Sequence, residues 1–166
     1  MNPIQGAALD AYLPHRGAMR LIDRVLVADE EHAVAEVDVP LDGLFVSDAR
    51  VPAWVGIEYM AQTVAAWAGA RTARAGGAPR VGYLLGSRRY AARCDSFAGG
   101  STLRVEVRCE LIGDNGLGQF SCSIQAAGDG ALLATAMVSV FEPAQEPPQE
   151  PALPPGAAAV TVQEPR

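Results

Sequence analysis

The stretch VPAWVGIEYMAQTVAAWAGART, Val51 to Thr72, reads as one helix that is apolar around most of its circumference. A helix of that kind is a buried one. Its first three turns carry a single carboxylate, Glu58, with Gln62 one turn later. On a 3.6-residue repeat Trp54, Glu58, Ala61 and Ala65 share a face, with Ile57, Val64 and Ala68 beside them. Glu58 therefore lies among apolar neighbours. Either its carboxylate reaches solvent or an arginine at the edge, or it is buried, and burial raises a carboxyl pKa and prepares it for general acid or base work.

On the N-terminal side, residues 1–20 read as a leader with a short helix near Ala7–Leu13, ended by Pro14. Two alternating segments follow, RLIDRVLVADE and HAVAEVDVP, with the polar DEEH between them as a hairpin turn. LDGLFVSDARVP is an irregular loop into the helix, with Pro52 suited to a first-turn position and Asp48 near the positive end. Gly76-Gly77 with Pro79 closes the helix. Beyond it RVGYLLGSRRYAARCDSF, STLRVEVRCELIG, GQFSCSIQAAG and ALLATAMVSVFE are alternating strands joined by turn residues. Seven of the twelve prolines fall in residues 143–166, which read as a disordered tail after a single domain over 1–142.

Half-buried antiparallel strands need one face covered, and one apolar helix is the available cover. The order predicts an α+β protein in which a curved antiparallel sheet wraps one long central helix, the hot-dog arrangement. The helix is more apolar than a single sheet requires, which predicts further burial, most simply at a dimer interface.

With 166 residues and 49% hydrophobic content the chain can fold unaided. No apolar run is long enough to span a membrane, and the N-terminus lacks the basic-then-apolar pattern of a secretory signal. Cys94, Cys109 and Cys122 have no metal-ligand spacing; they read as reduced, core-filling thiols of a cytoplasmic protein. A net charge of −6 argues against nucleic acid as a partner. All 13 basic residues are arginine, and Arg71, Arg74, Arg80, Arg88, Arg89 and Arg93 form a run without an acid. It is either a solvated face or a docking patch for an acidic partner.

LPHRGAMRLIDRV (Leu13–Val25) followed by VPAWVGIEYMAQ (Val51–Gln62) resembles the FabA/FabZ group of 3-hydroxyacyl-acyl-carrier-protein dehydratases. With the later GYLLGSRRY, it is similar to the ApeP-like subfamily found with aryl polyene biosynthesis. The resemblance covers about residues 10–142. It implies the hot-dog fold, a lyase activity on acyl chains carried by the phosphopantetheine of an acyl carrier protein, no further cofactor, and a homodimer or a heterodimer with a FabZ-like homologue.

Phe45, Pro52, Glu58, Met60, Ala61 and Gln62 fall on the family motif without a gap. The motif's histidine, which in the family removes the proton α to the thioester, falls on Leu44. Its first two prolines fall on Val46 and Ala49, and its glycine on Ala53. In the family the glutamate of the neighbouring subunit protonates the leaving β-hydroxyl, so half of the machinery is missing here.

His15 and Asp48 are the candidates to replace the missing base; each also has a plain structural role to offer, a backbone-bonded histidine and a helix-start charge. His32, in the hairpin turn, is expected to be exposed. Phe45, Pro52, Ala53, Trp54 and Gln62 are candidate substrate contacts, with free N–H groups near Ala53–Trp54 able to polarise a thioester carbonyl. Arg88 and Arg89 are the candidate carrier-protein contacts. Three functions stay open: a dehydratase with an altered catalytic set, a non-catalytic partner of a complete homologue, and a hot-dog thioesterase in which Asp48 or Glu58 activates water.

Overall fold

The computed structural model describes residues 2–78 and 80–143, so the expected tail lies, from residue 144 on, outside the described residues. In chain order the elements are β1 (Ile4–Gln5), a 3-10 turn (Gly6–Ala11), a second (Gly17–Met19), β2 (Arg24–Ala28), β3 (His32–Asp38) and β4 (Arg50–Pro52). A third 3-10 turn (Ala53–Val55) leads into α1 (Gly56–Arg74), followed by β5 (Tyr83–Ala92), β6 (Ser96–Ala98), β7 (Thr102–Ile112), β8 (Leu117–Ala126) and β9 (Leu132–Phe141). The main sheet runs β1-β2-β3-β7-β8-β9-β5, and β4 pairs with β6 apart from it. Every pairing is antiparallel.

Alternation along β3, β7, β8 and β9 does what the sequence pattern predicts, whereas β5, expected to alternate too, is exposed along nearly its whole length because it ends the sheet. Ala33, Ala35 and Val37 of β3, Leu103, Val105 and Val107 of β7, and Phe120, Cys122 and Ile124 of β8 all turn inward and are buried. α1 lies on that inner face, touching β2, β3, β5, β7, β8 and β9. Tyr59, Met60, Thr63, Val64, Ala66, Trp67 and Ala70 supply its buried side. Each large apolar side chain so buried is worth roughly 1.5–3 kcal/mol. Gly69 permits the closest approach, since a Cβ there would lie 2.0 Å from the Tyr12 carbonyl oxygen. The opposite flank, with Ile57, Ala61, Ala65 and Ala68, is only partly covered.

Three expectations need correction. The helix does not begin at Val51. A residue before proline is driven toward extended backbone, and Val51 pairs with Phe97 in the small sheet instead. Pro52 caps a 3-10 turn, and the α-helix proper starts at Gly56, whose missing Cβ makes room for the Tyr90 hydroxyl and Ile124. The expected helix near Ala7–Leu13 is a 3-10 turn, anchored by the buried Leu9 and Leu13.

The first of the four later strands is broken into β5 and β6, with Cys94 in the bend between them. Of the three thiols only Cys122 is fully in the core, where burial pushes its pKa up to about 12; Cys94 and Cys109 are half-buried. No helix of the described residues is long and apolar enough to cross a membrane.

Candidate active site

Glu58 sits in the first turn of α1, where a carboxylate is favoured by the helix dipole. It is held there by Gln62, one turn on, whose Nε2 donates to Glu58 Oε1 at 2.9 Å. Gln62 is itself pinned. Its Oε1 accepts the Leu21 N–H at 2.8 Å, and its Nε2 also donates to the Met19 carbonyl at 2.7 Å. Those backbone groups belong to the segment that follows Leu13-Pro14-His15, so one fully buried amide ties the leader to the helix.

The consequence is a meeting of two distant motifs. His15 Nε2 stands 3.7 Å from Glu58 Oε1. The imidazole's other nitrogen, Nδ1, is buried with no hydrogen-bond partner among the described residues. Glu58 is not sealed from water, because about a third of its side chain (34%) is exposed in the single chain. The sequence placed it among apolar neighbours, and the uncovered flank of α1 explains the difference. Gln62, expected to touch substrate, is buried with both its N–H donors committed to the protein, so it acts on Glu58 rather than on a ligand.

The other candidates line the entry to the helix. Asp48 is exposed on the loop, and its carboxylate has no hydrogen-bond or ion-pair partner among the described residues, Glu58 included. Phe45, Asp48 and Ala49 all have left-handed backbone, with φ of 64°, 51° and 54°. Such conformations at non-glycine residues cost of order 1–3 kcal/mol each and gather at functional sites. Sequence reading missed this because Phe and Ala carry no left-handed signature; only the Asp is a residue type that tolerates it.

Phe45 packs edge-on against Trp54, with ring centroids 5.7 Å apart. Trp54 is 61% exposed and Leu44 44%, so an apolar surface flanks the site. Pro52 is half-buried beside them. The Ala53 N–H is not free, since it donates to the Asp95 carbonyl at 2.9 Å. Its own carbonyl accepts from the Tyr90 hydroxyl. Ala53 therefore does not polarise a thioester.

His32 is not an exposed turn residue. It opens β3, half-buried, with Nδ1 2.8 Å from the Asp29 carboxylate. Arg88 and Arg89 are exposed on β5, just before the Tyr90 that reaches the Ala53 carbonyl, and Arg89 (φ 58°) lies at a bulge against β9.

Residues 7–150 match the family described as ApeP-like, ApeP dehydratase. The chain belongs to the ApeP-like dehydratase family. Among solved structures, it is similar to a chain of the dehydratase heterocomplex ApeI:P from Xenorhabdus doucetiae, at 30% identity and a TM-score of 0.74 over 82% of this chain and 91% of that one. It also resembles a hypothetical thioesterase from Streptococcus pneumoniae solved with coenzyme A (12% identity, TM-score 0.57, 74% and 87% covered). The E. coli PaaI protein of the phenylacetic acid degradation operon is another (14% identity, TM-score 0.55, 70% and 80% covered). These last two show the hot-dog fold alone. No curated protein matches. In this ApeP-like chain Glu58 thus stands on a buried support, the Gln62 amide, with Leu44 exposed on the loop before the helix.

Proposed function

We propose that this ApeP-like chain is one half of a composite dehydratase for 3-hydroxyacyl thioesters carried by an acyl carrier protein. It supplies Glu58 as the general acid, and a FabZ-like partner supplies the base. The observation that carries this reading is the Gln62-braced Glu58 carboxylate beside His15, combined with Leu44 where a base would stand. In dehydration the base takes the α-proton and the carbonyl-activated carbanion expels the β-hydroxyl. Protonated Glu58 delivers its proton to that hydroxyl, which leaves as water and leaves the α,β double bond behind. The acid ends ionised and the base protonated, and solvent exchange restores both.

A second chain has places to bind. β5 ends the sheet order, so its outer edge is unpaired among the described residues, and Tyr83, Leu84 and Leu85 on it are exposed. The small-residue flank of α1 is partly open as well. An apolar, unpaired edge is a surface that pairs with another strand. The likeness to a heterocomplex chain supports a heterodimer. Arg88 and Arg89 on the same strand are the proposed carrier-protein contacts, with an aryl polyene or related chain as cargo.

His15 supports a second reading, in which it serves as base or proton donor within this chain, since its Nε2 already faces Glu58. One assay separates the two: dehydration of a 3-hydroxyacyl carrier protein by this chain alone, by a complete FabZ-like homologue alone, and by the mixture. Activity that appears or rises only in the mixture, and is lost with Glu58→Gln in this chain, is the expected result. Full activity of the chain alone assigns the base to His15, and an indifferent Glu58→Gln removes Glu58 from the chemistry.

A further inference from the structure

At the far end of α1 from Glu58, a cleft of about 430 Å³ opens between the helix and the ends of β7, β8 and β9. Its floor is apolar, made by Val64, Trp67, Ala68, Phe120 and Val140. Trp67 is buried, packs edge-on against Phe120 at a centroid distance of 5.1 Å, and has an indole Nε1–H with no acceptor among the described residues. Above the indole lies the Arg71 guanidinium, 4.8 Å from the ring centre.

The three arginines around this end of the helix are not equivalent. Arg80, on the same rim, is paired with Glu142 at 3.0 Å. Arg74 donates to the Ala28 carbonyl. Arg71 takes part in none of the ion pairs of the described residues, so a desolvated face of its guanidinium stacks on the ring while its charge stays uncompensated. A cation–π contact orients such a group without neutralising it.

We propose that this cleft is a second binding site, and that it takes an amphipathic monoanion: a short apolar chain or ring ending in a carboxylate. The apolar floor would hold the hydrocarbon, and Arg71 the carboxylate through its fork of donors. Asp114 and Glu142 on the rim select against a doubly charged head group such as a phosphate monoester. The volume lies at the small end of the range for ligand pockets, roughly 300–1,000 Å³. Arg71 is about 20 Å along the helix from Glu58 at 1.5 Å per residue, so the site stands whether or not the reading of Glu58 does.

The probe is octanoate, with octanol as its uncharged counterpart. In the full-length chain carrying Trp54→Phe, Trp67 is the only indole, and its emission reports on the cleft. Octanoate should shift that emission saturably, with one site per chain by calorimetry, and bind more tightly than octanol. Arg71→Met, which keeps the stem over the ring, should weaken octanoate about tenfold and leave octanol unchanged. Arg71→Gln carries the same expectation, and circular dichroism confirms that either variant is folded. The proposal is overturned by the absence of saturation, by octanol binding as tightly as octanoate, by equal weakening of both in the variants, or by calorimetric binding that leaves the Trp67 emission unmoved.

Discussion

His15 Nε2 and Glu58 Oε1 face each other at 3.7 Å, brought together from two motifs by the Gln62 amide. The imidazole makes no other polar side-chain contact among the described residues. On the reading in which His15 serves as base or proton donor, His15→Ala should lower dehydration roughly 10²-fold, the scale of a lost acid–base group, with the melting temperature unchanged within error; with the base on the partner, the mixed assembly should lose far less. A lower melting temperature, with activity falling only in proportion to folded protein, would give the residue a structural role.

Gln62→Met keeps the volume and removes the amide. It strands the Leu21 N–H and the Met19 carbonyl and frees the Glu58 carboxylate. An unsatisfied buried group costs about 1–3 kcal/mol, so urea unfolding should show a loss of about 2–4 kcal/mol. Dehydration should fall further than the folded fraction does. An unchanged unfolding midpoint would mean that the leader is held by something else.

Gly69→Ala sets two effects against each other. Alanine gains roughly 1 kcal/mol in helix propensity. Its Cβ would lie 2.0 Å from Tyr12 backbone oxygen, an atom that cannot swing aside as a side chain does. Overpacking of this kind costs typically 1–3 kcal/mol or more, so the variant should melt lower. Exchange of the amides of Leu9–Leu13 should also quicken. A higher melting point would show that the leader yields.

Arg24 grips Asp38 with two 2.8 Å hydrogen bonds and Glu36 with a third. Its guanidinium holds the Asp38 carboxyl below its usual pKa. At Glu36 desolvation pushes upward, but Arg104 and Arg24 outweigh it and the pKa is again lowered. A depressed carboxyl contributes stability that is present above its unfolded pKa and is lost as pH falls through the lower folded value. Arg24→Met should thus flatten the fall in melting temperature below about pH 4 and cost stability at neutral pH. A parallel shift at all pH values would remove the ion pair as the cause.

Reversing Arg88 and Arg89 to Glu tests carrier-protein docking. Exposed charges act chiefly on association rate and are screened by salt. Binding of the carrier protein should weaken at low ionic strength, while turnover of a carrier-free thioester mimic by the mixed assembly stays level. Equal loss with both substrates would place these arginines in the subunit interface along β5.

The inner strands were legible because their alternation is the alternation of burial; Leu103, Val105 and Val107 against Arg104, Glu106 and Arg108 is the clearest case, and the edge strand β5, exposed nearly throughout, is the exception. The helix start was not, because an apolar repeat runs on through Val51, whose pairing with Phe97 depends on a strand far along the chain. Glu58 stood out as a lone carboxylate in an apolar run. What braces it did not, since Gln62 bonds to the main chain of Met19 and Leu21, and main-chain groups leave no mark in a sequence. The free Ala53 N–H was lost for the same reason, to the Asp95 carbonyl.

The open edge of β5 also bears on how the protein is made. Ten residues of strand with exposed Tyr83, Leu84 and Leu85 form a template for any extended chain that meets it. Register breaks between Leu84 and Gly86 and between Arg88 and Ala91, with the charges of Arg88 and Arg89, interrupt that template. On the heterodimer reading, a cell must then synthesise the two subunits in matched amounts and close together in time. Surplus copies of this chain would pair with one another or precipitate, and expression without the partner should yield mostly insoluble protein.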